Sequence, residues 1–135
     1  MTRPDEAIDQ YVMRSRLTLS IGTGFGVATM ISLLEVTTAL GAHPQWRAQL
    51  FLSGALAGTV LAVIVTQFDF VKRTLGLSFL AIAAWLSADY GKARFAASFA
   101  EDRIAGQMWF YGWHILCIAL VAHVVSATYE HLGRG

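Results

Sequence analysis

The sequence predicts an all-α fold, an integral membrane bundle of four transmembrane helices with short connections. Of its 135 residues 56% are hydrophobic and only 14% are charged, against about 25% charged residues in typical soluble domains. A helix needs roughly 20 mostly apolar residues to cross the hydrocarbon layer, and four runs of the chain approach or exceed that length. We therefore expect a single transmembrane domain over 1–135, with spans at about 17–40, 48–68, 71–90 and 105–129.

The first two spans are separated by a short turn-forming segment. The span at 17–40 contains one charged residue, Glu35, and the "GAHPQW" segment that follows it combines a glycine with a proline, which favours the end of a helix. The span at 48–68 is uncharged and contains Gly54 and Gly58 in "GALAG", with Ala62 at the next step of the same face. Because small residues let helix backbones approach closely in a membrane, these three are the predicted helix-packing residues.

The last two spans differ in how clearly they are bounded. The uncharged part of the span at 71–90 is short, so Lys72, Arg73 and Asp89 must lie at its ends with the basic side chains reaching the interface. Residues 89–103 form the longest connection, and Phe95 and Phe99 favour a short interfacial helix within it. The span at 105–129 opens with "MWFYGWH", an aromatic cluster typical of a membrane interface.

The first span contains one carboxylate, that of Glu35, within an otherwise uncharged segment. At about 100° per residue, the helical face that carries Glu35 also carries Gly24, Ala28 and Ser32, whereas Met30 lies on the other side. Because a carboxylate facing lipid is costly, we expect Glu35 to point toward the other helices.

The topology predicts polar partners for Glu35 at one end of the bundle. The first span ends and the fourth begins on the same side of the membrane, which also holds the first connection and the end of the third span. We therefore expect Glu35, His43, Asp89 and His114 to share this side. They are candidates for proton or ion handling or for ligating a metal such as Zn²⁺, or Glu35 is a structural carboxylate.

The histidines of the fourth span allow a further alternative. His123 follows Ala119 at i+4, which resembles the Ala-x-x-x-His pattern of light-harvesting antenna helices, in which a flat macrocycle approaches the helix. His114 and His123 lie on opposite faces, so they cannot share one site within a chain. No cofactor is predicted, and a metal or haem at His114 or His123 is the alternative.

Three functions follow from these patterns, and none of them is a soluble enzyme. No Gly-x-Ser-x-Gly, P-loop or HExxH motif occurs, and a net charge of +1 gives no basic surface for nucleic acid. The first hypothesis is a small non-catalytic subunit or assembly factor of a larger membrane complex. The second is a small oligomeric proton- or ion-linked transporter or channel using Glu35; its plan resembles that of the small multidrug resistance transporters, which use four helices and a carboxylate in the first. The third is a membrane-embedded metal or haem protein.

The expected surroundings are a lipid bilayer and other membrane subunits or a second copy of the chain, without nucleic acid. Short loops suit a bacterial inner membrane. Of the ten lysines and arginines, six lie on the side of the termini, which favours cytoplasmic termini.

Overall fold

Five helices make up almost all of the structure, a computed structural model that describes residues 4–134, with side chains from residue 6 onward. They are α1 (Pro4–Leu33), α2 (Val36–Ala39), α3 (Arg47–Val65), α4 (Phe70–Ala97) and α5 (Arg103–His131), and a 3-10 helix at Pro44–Trp46 precedes α3. Four of them, all but the short α2, are long and apolar enough to cross a membrane. The predicted all-helical bundle of four spans is confirmed, and the chain is a multi-pass membrane protein.

The centre of the bundle is α5. Helices α1, α3 and α4 all pack on it, and α1 also packs on α3. One apolar cluster joins α1, α3, α4 and α5 around Val121 and Val125, and a second surrounds Trp113 and Leu116. These clusters hold many alanines, as expected where close backbone approach holds helices together in lipid.

The two ends of the bundle carry different groups. At one end Arg16 of α1 donates a hydrogen bond to the carbonyl oxygen of Tyr129, and Arg73 of α4 pairs with Glu130 of α5; we call this the termini end. At the other end the Trp109 indole N–H donates to the carbonyl oxygen of Gly41 at 3.1 Å, which ties the first connection to the start of α5. We call this the Glu35 end.

The first span is not one continuous helix. It was expected at 17–40, but α1 begins at Pro4 and stops at Leu33, and Glu35 has a φ of 53°, in the left-handed region. The break lies at residues 34–35, and the chain is helical again over the single turn of α2. The first span therefore turns before its predicted end.

The third span is longer than predicted. It was expected at 71–90, but α4 continues to Ala97, so the long connection predicted at 89–103 is a loop of residues 98–102 and no separate interfacial helix exists there. The added turns of α4 are supported by α5: a Cβ on Gly91 would lie 2.5 Å from the backbone nitrogen of Trp109, and Phe95 packs against Gly106. Asp102 then caps α5 by accepting a hydrogen bond from the Ala105 amide at 2.9 Å.

Candidate functional site

The Glu35 end is built where the chain leaves α1. Glu35 is not buried among the other helices: its side chain is 60% exposed, and it accepts a hydrogen bond of 2.6 Å from Arg47, itself 49% exposed. Arg47 opens α3 twelve residues later, and the turn at residues 34–35 brings the two side chains together. The carboxylate is therefore neutralised at the rim of the bundle by a partner that can exchange with water or headgroups.

His43 lies in an aromatic cluster of the first connection. Its ring centroid is 5.4 Å from that of Trp46 and 6.0 Å from that of Trp109. Its Nδ1 accepts a hydrogen bond from the backbone N–H of Gln45, so it caps the 3-10 helix. In this arrangement Nδ1 acts as an acceptor, and the ring packs against the two tryptophans.

His114 reaches the same aromatic cluster from α5. Its Nδ1 donates to the carbonyl oxygen of Phe110 at 2.9 Å, since a carbonyl can only accept, and its ring lies 4.2 Å from the Phe110 ring. Phe110 in turn meets Trp46 edge-on at 5.1 Å. His114 is thus held by its own helix and by Phe110.

Asp89 is an exposed residue of α4 beside Gly41 and Lys92 in a shallow cleft. All four predicted residues, Glu35, His43, Asp89 and His114, lie toward one end of the bundle, but each has its own surroundings. Within residues 4–134, no three His, Cys, Asp or Glu side chains lie close enough to hold a metal ion. The structure gathers the four residues on one side without joining them.

A cavity of about 190 Å³ opens beside the Glu35–Arg47 pair. Its wall is mostly apolar, with Trp85, Trp113, Leu116 and Cys117 on one side and the ends of α1 and α3 on the other. Ser32, Thr37 and Arg47 add a few polar atoms. Pockets that hold drug-sized ligands measure about 300–1,000 Å³, so this cavity is smaller than such a pocket.

His123 lies on α5 toward the termini end. Ala119, which would face a macrocycle in the Ala-x-x-x-His arrangement, is fully buried by neighbouring helices. The side of α5 around Ala119 is therefore occupied by protein. Ligation by His114 or His123 stays a prediction, and any flat ligand would have to approach away from Ala119.

The predicted helix-packing residues all face α5 of the same chain. A Cβ on Gly54 would lie 3.4 Å from Cys117, and one on Gly58 would lie 2.8 Å from the Cβ of Val121. Ala62 has no exposed surface. This stripe of α3 therefore serves packing within the chain.

The termini end holds an ion pair that sequence reasoning missed. The side chain of Arg73 is only 3% exposed and pairs with Glu130, which also accepts from Arg134 at 3.2 Å. Arg16 lies 4.6 Å over the Tyr129 ring. A usable signal was present: Arg73 opens α4 and Glu130 closes α5, so topology places both on the same side of the membrane.

Comparison of the chain with protein-family models, curated proteins and solved structures finds no match. Inference about function therefore starts from the surfaces, the cavity and the charged groups described above.

Proposed function

We propose that this membrane protein is a small non-catalytic subunit or assembly factor of a larger membrane complex. The observation that carries the proposal is the outward face of α1. Gly22 and Gly26 are exposed there, four residues apart, and a Cβ built on either glycine meets nothing within 4 Å. The helix thus presents a GxxxG surface that no residue described in this chain covers.

Contacts with the described residues, 4–134, do not explain why glycine stands at these positions. Gly24 on the same helix is buried, and a Cβ there would lie 2.3 Å from a methyl group of Val125. Packing against α5 therefore requires a residue without a side chain at this position. Glycine costs a helix interior about 1 kcal/mol relative to alanine. In a membrane, the gain that offsets this cost is close approach of another helix, which Gly22 and Gly26 lack inside the chain.

The same face of α1 continues beyond the end of α5. Arg16 is level with Tyr129, so the preceding helical turns extend past the bundle, and residues 6–14 are exposed. Ile8, Tyr11 and Leu19 are all more than half exposed, and at about 100° per residue they lie on the face of Gly22 and Gly26. An apolar face that leaves the bundle in this way suits a protein partner that extends out of the membrane.

The proposal is tested by extracting the protein in mild detergent at native expression level and measuring the mass and composition of the complex. We expect wild type to carry stable partner subunits and Gly22→Leu to lose them, because the larger side chain holds the partner helix away. Ala57→Leu is the control, since Ala57 is an exposed small residue of α3 and the substitution adds a similar apolar side chain away from α1. A wild-type protein that extracts as a lone monomer would contradict the subunit role. Equal loss of partners in both variants would contradict the assignment of the contact to the Gly22 face of α1.

A second candidate function, a small oligomeric proton- or ion-linked transporter or channel, is favoured by the cavity beside Glu35. Its few polar groups are Ser32, Thr37 and Arg47, of which Arg47 pairs with the Glu35 carboxylate. Extraction as a homo-oligomer without other proteins would favour this function over the first.

Glu35→Gln tests the transporter directly. Because the Glu35–Arg47 pair is exposed, we expect its loss to change the free energy of unfolding by less than about 1 kcal/mol, so flux can be compared at equal folding. Proton-linked flux in vesicles should then fall to background with Glu35→Gln. Flux and pH dependence equal to wild type would exclude Glu35 as the coupling group.

For the location we propose a bacterial inner membrane with cytoplasmic termini. Arg14, Arg16, Lys72, Arg73 and Arg134 belong to the termini end, whereas Arg47, Lys92, Arg94 and Arg103 belong to the Glu35 end. This small excess of basic residues supports the proposed orientation.

A further inference from the structure

A groove separates α3 from α4 near the turn that connects them. Both helices pack on α5, and over residues 4–134 they hardly touch each other. The groove encloses about 340 Å³, and its walls are largely apolar, formed by Leu61, Val65, Leu77 and Leu80. Gly76 leaves it open, because a Cβ on this residue would meet nothing within 4 Å.

The mouth of the groove is basic. Lys72 and Arg73 line it from the first turn of α4. Lys72 is largely exposed and has only the equally exposed Asp69 as a partner. Arg73 is buried, and its Nε has no hydrogen-bond partner among the residues that the structure describes. Arg134 shares Glu130 with Arg73, so three cationic side chains face two carboxylates here.

The groove has the length and polarity of one lipid chain below its headgroup. From Lys72 to Leu80 the helix rises about 12 Å, close to half of the roughly 30 Å hydrocarbon layer. The charged mouth lies at the helix ends, where headgroups lie, and the apolar walls point toward the middle of the membrane. Basic pockets between transmembrane helices are sites at which anionic headgroups bind.

We propose that this groove binds an anionic phospholipid, with one acyl chain between α3 and α4 and the phosphate at Lys72, the exposed cation of the mouth. The site is independent of the α1 face and of the proposed partner subunits. Phosphatidylglycerol is the probe of choice, because its single negative charge distinguishes it from phosphatidylcholine with the same acyl chains.

Native mass spectrometry of the purified full chain, exchanged into detergent with either lipid, tests the site. We expect wild type to retain phosphatidylglycerol about fivefold more than phosphatidylcholine, the difference that one basic side chain near a headgroup supplies. Lys72→Gln should lower phosphatidylglycerol retention to the phosphatidylcholine level. Gly76→Leu, which fills the groove without a clash, should lower the retention of both lipids severalfold.

Gly22→Leu is the control, since it adds the same side chain on α1, away from the groove. It should retain both lipids as wild type does, and thermal unfolding of all variants checks that they are equally folded. The proposal would be overturned if wild type retained the two lipids equally, or if Gly76→Leu retained them as well as wild type does. Displacement of the lipid by glycerol phosphate alone would also overturn it.

Discussion

A Gly112→Ala variant is expected to unfold more easily than wild type, by about 1–3 kcal/mol. The added Cβ would lie 2.7 Å from the backbone nitrogen of Ala88 and 2.9 Å from the carbonyl oxygen of Ala84. These are backbone atoms of α4, which cannot rotate away as the end of a flexible side chain can. The two helices would have to separate along their shared face, which also carries the close contact at Gly91.

The free energy of unfolding, measured for the purified chain by titration with a denaturing detergent, checks this expectation. Gly22→Ala is the matched control, because the same substitution on α1 meets no atom within 4 Å and should gain up to about 1 kcal/mol from helix propensity. If Gly112→Ala is as stable as Gly22→Ala, α4 and α5 do not approach each other closely at Gly112.

Glycines with the same spacing have opposite surroundings in this chain. Gly54 and Gly58 on α3 pack against α5, whereas Gly22 and Gly26 on α1 face outward. Both pairs read as GxxxG in an apolar segment, so the pattern alone predicts a helix contact but not its partner. Which pair is internal depends on how each helix is rotated about its axis, and that rotation is set by packing on α5.

The number of spans could be predicted because it depends only on apolar length, whereas helix ends depend on local contacts. At α4 the charged residues Asp89, Lys92 and Arg94 suggested the end of a span, but the helix continues past them to Ala97. Charge marks where the membrane ends, and the helix persists beyond it because Gly91 and Phe95 pack on α5. At Glu35 the helix ends earlier than its apolar pattern does.

For the polar residues, topology predicts the side of the membrane on which they lie but not the residues that they contact. Topology placed Glu35, His43, Asp89 and His114 on one side, which agrees with where they lie. Their partners could not be predicted, because the turn at residues 34–35 carries Glu35 to Arg47, and aromatic rings surround His43 and His114. The pairing of Arg73 with Glu130 could have been predicted from topology, since the two residues lie at span ends on the same side of the membrane.

Glu130→Gln is expected to destabilise the bundle by about 1–3 kcal/mol, because it leaves the buried Arg73 guanidinium without its charged partner, while the Glu130 side chain is itself 30% exposed. Arg73 is 3% exposed, and its guanidinium relies on Glu130, with the Phe70 ring 5.3 Å away. Asp69→Asn is the matched control at the same end: it breaks the exposed pair with Lys72, which should cost less than about 1 kcal/mol.

The double variant Arg73→Met/Glu130→Gln tests whether each residue of the pair matters mainly because the other is present. Arg73→Met removes the buried charge that Glu130→Gln leaves uncompensated, so the double variant should recover most of the loss seen in Glu130→Gln alone. The free energy of unfolding in denaturing detergent is measured for wild type, Arg73→Met, Glu130→Gln and the double variant. If the losses of the single variants simply add in the double variant, Arg73 does not depend on Glu130, and the termini end is held together by the apolar contacts around Val125 instead.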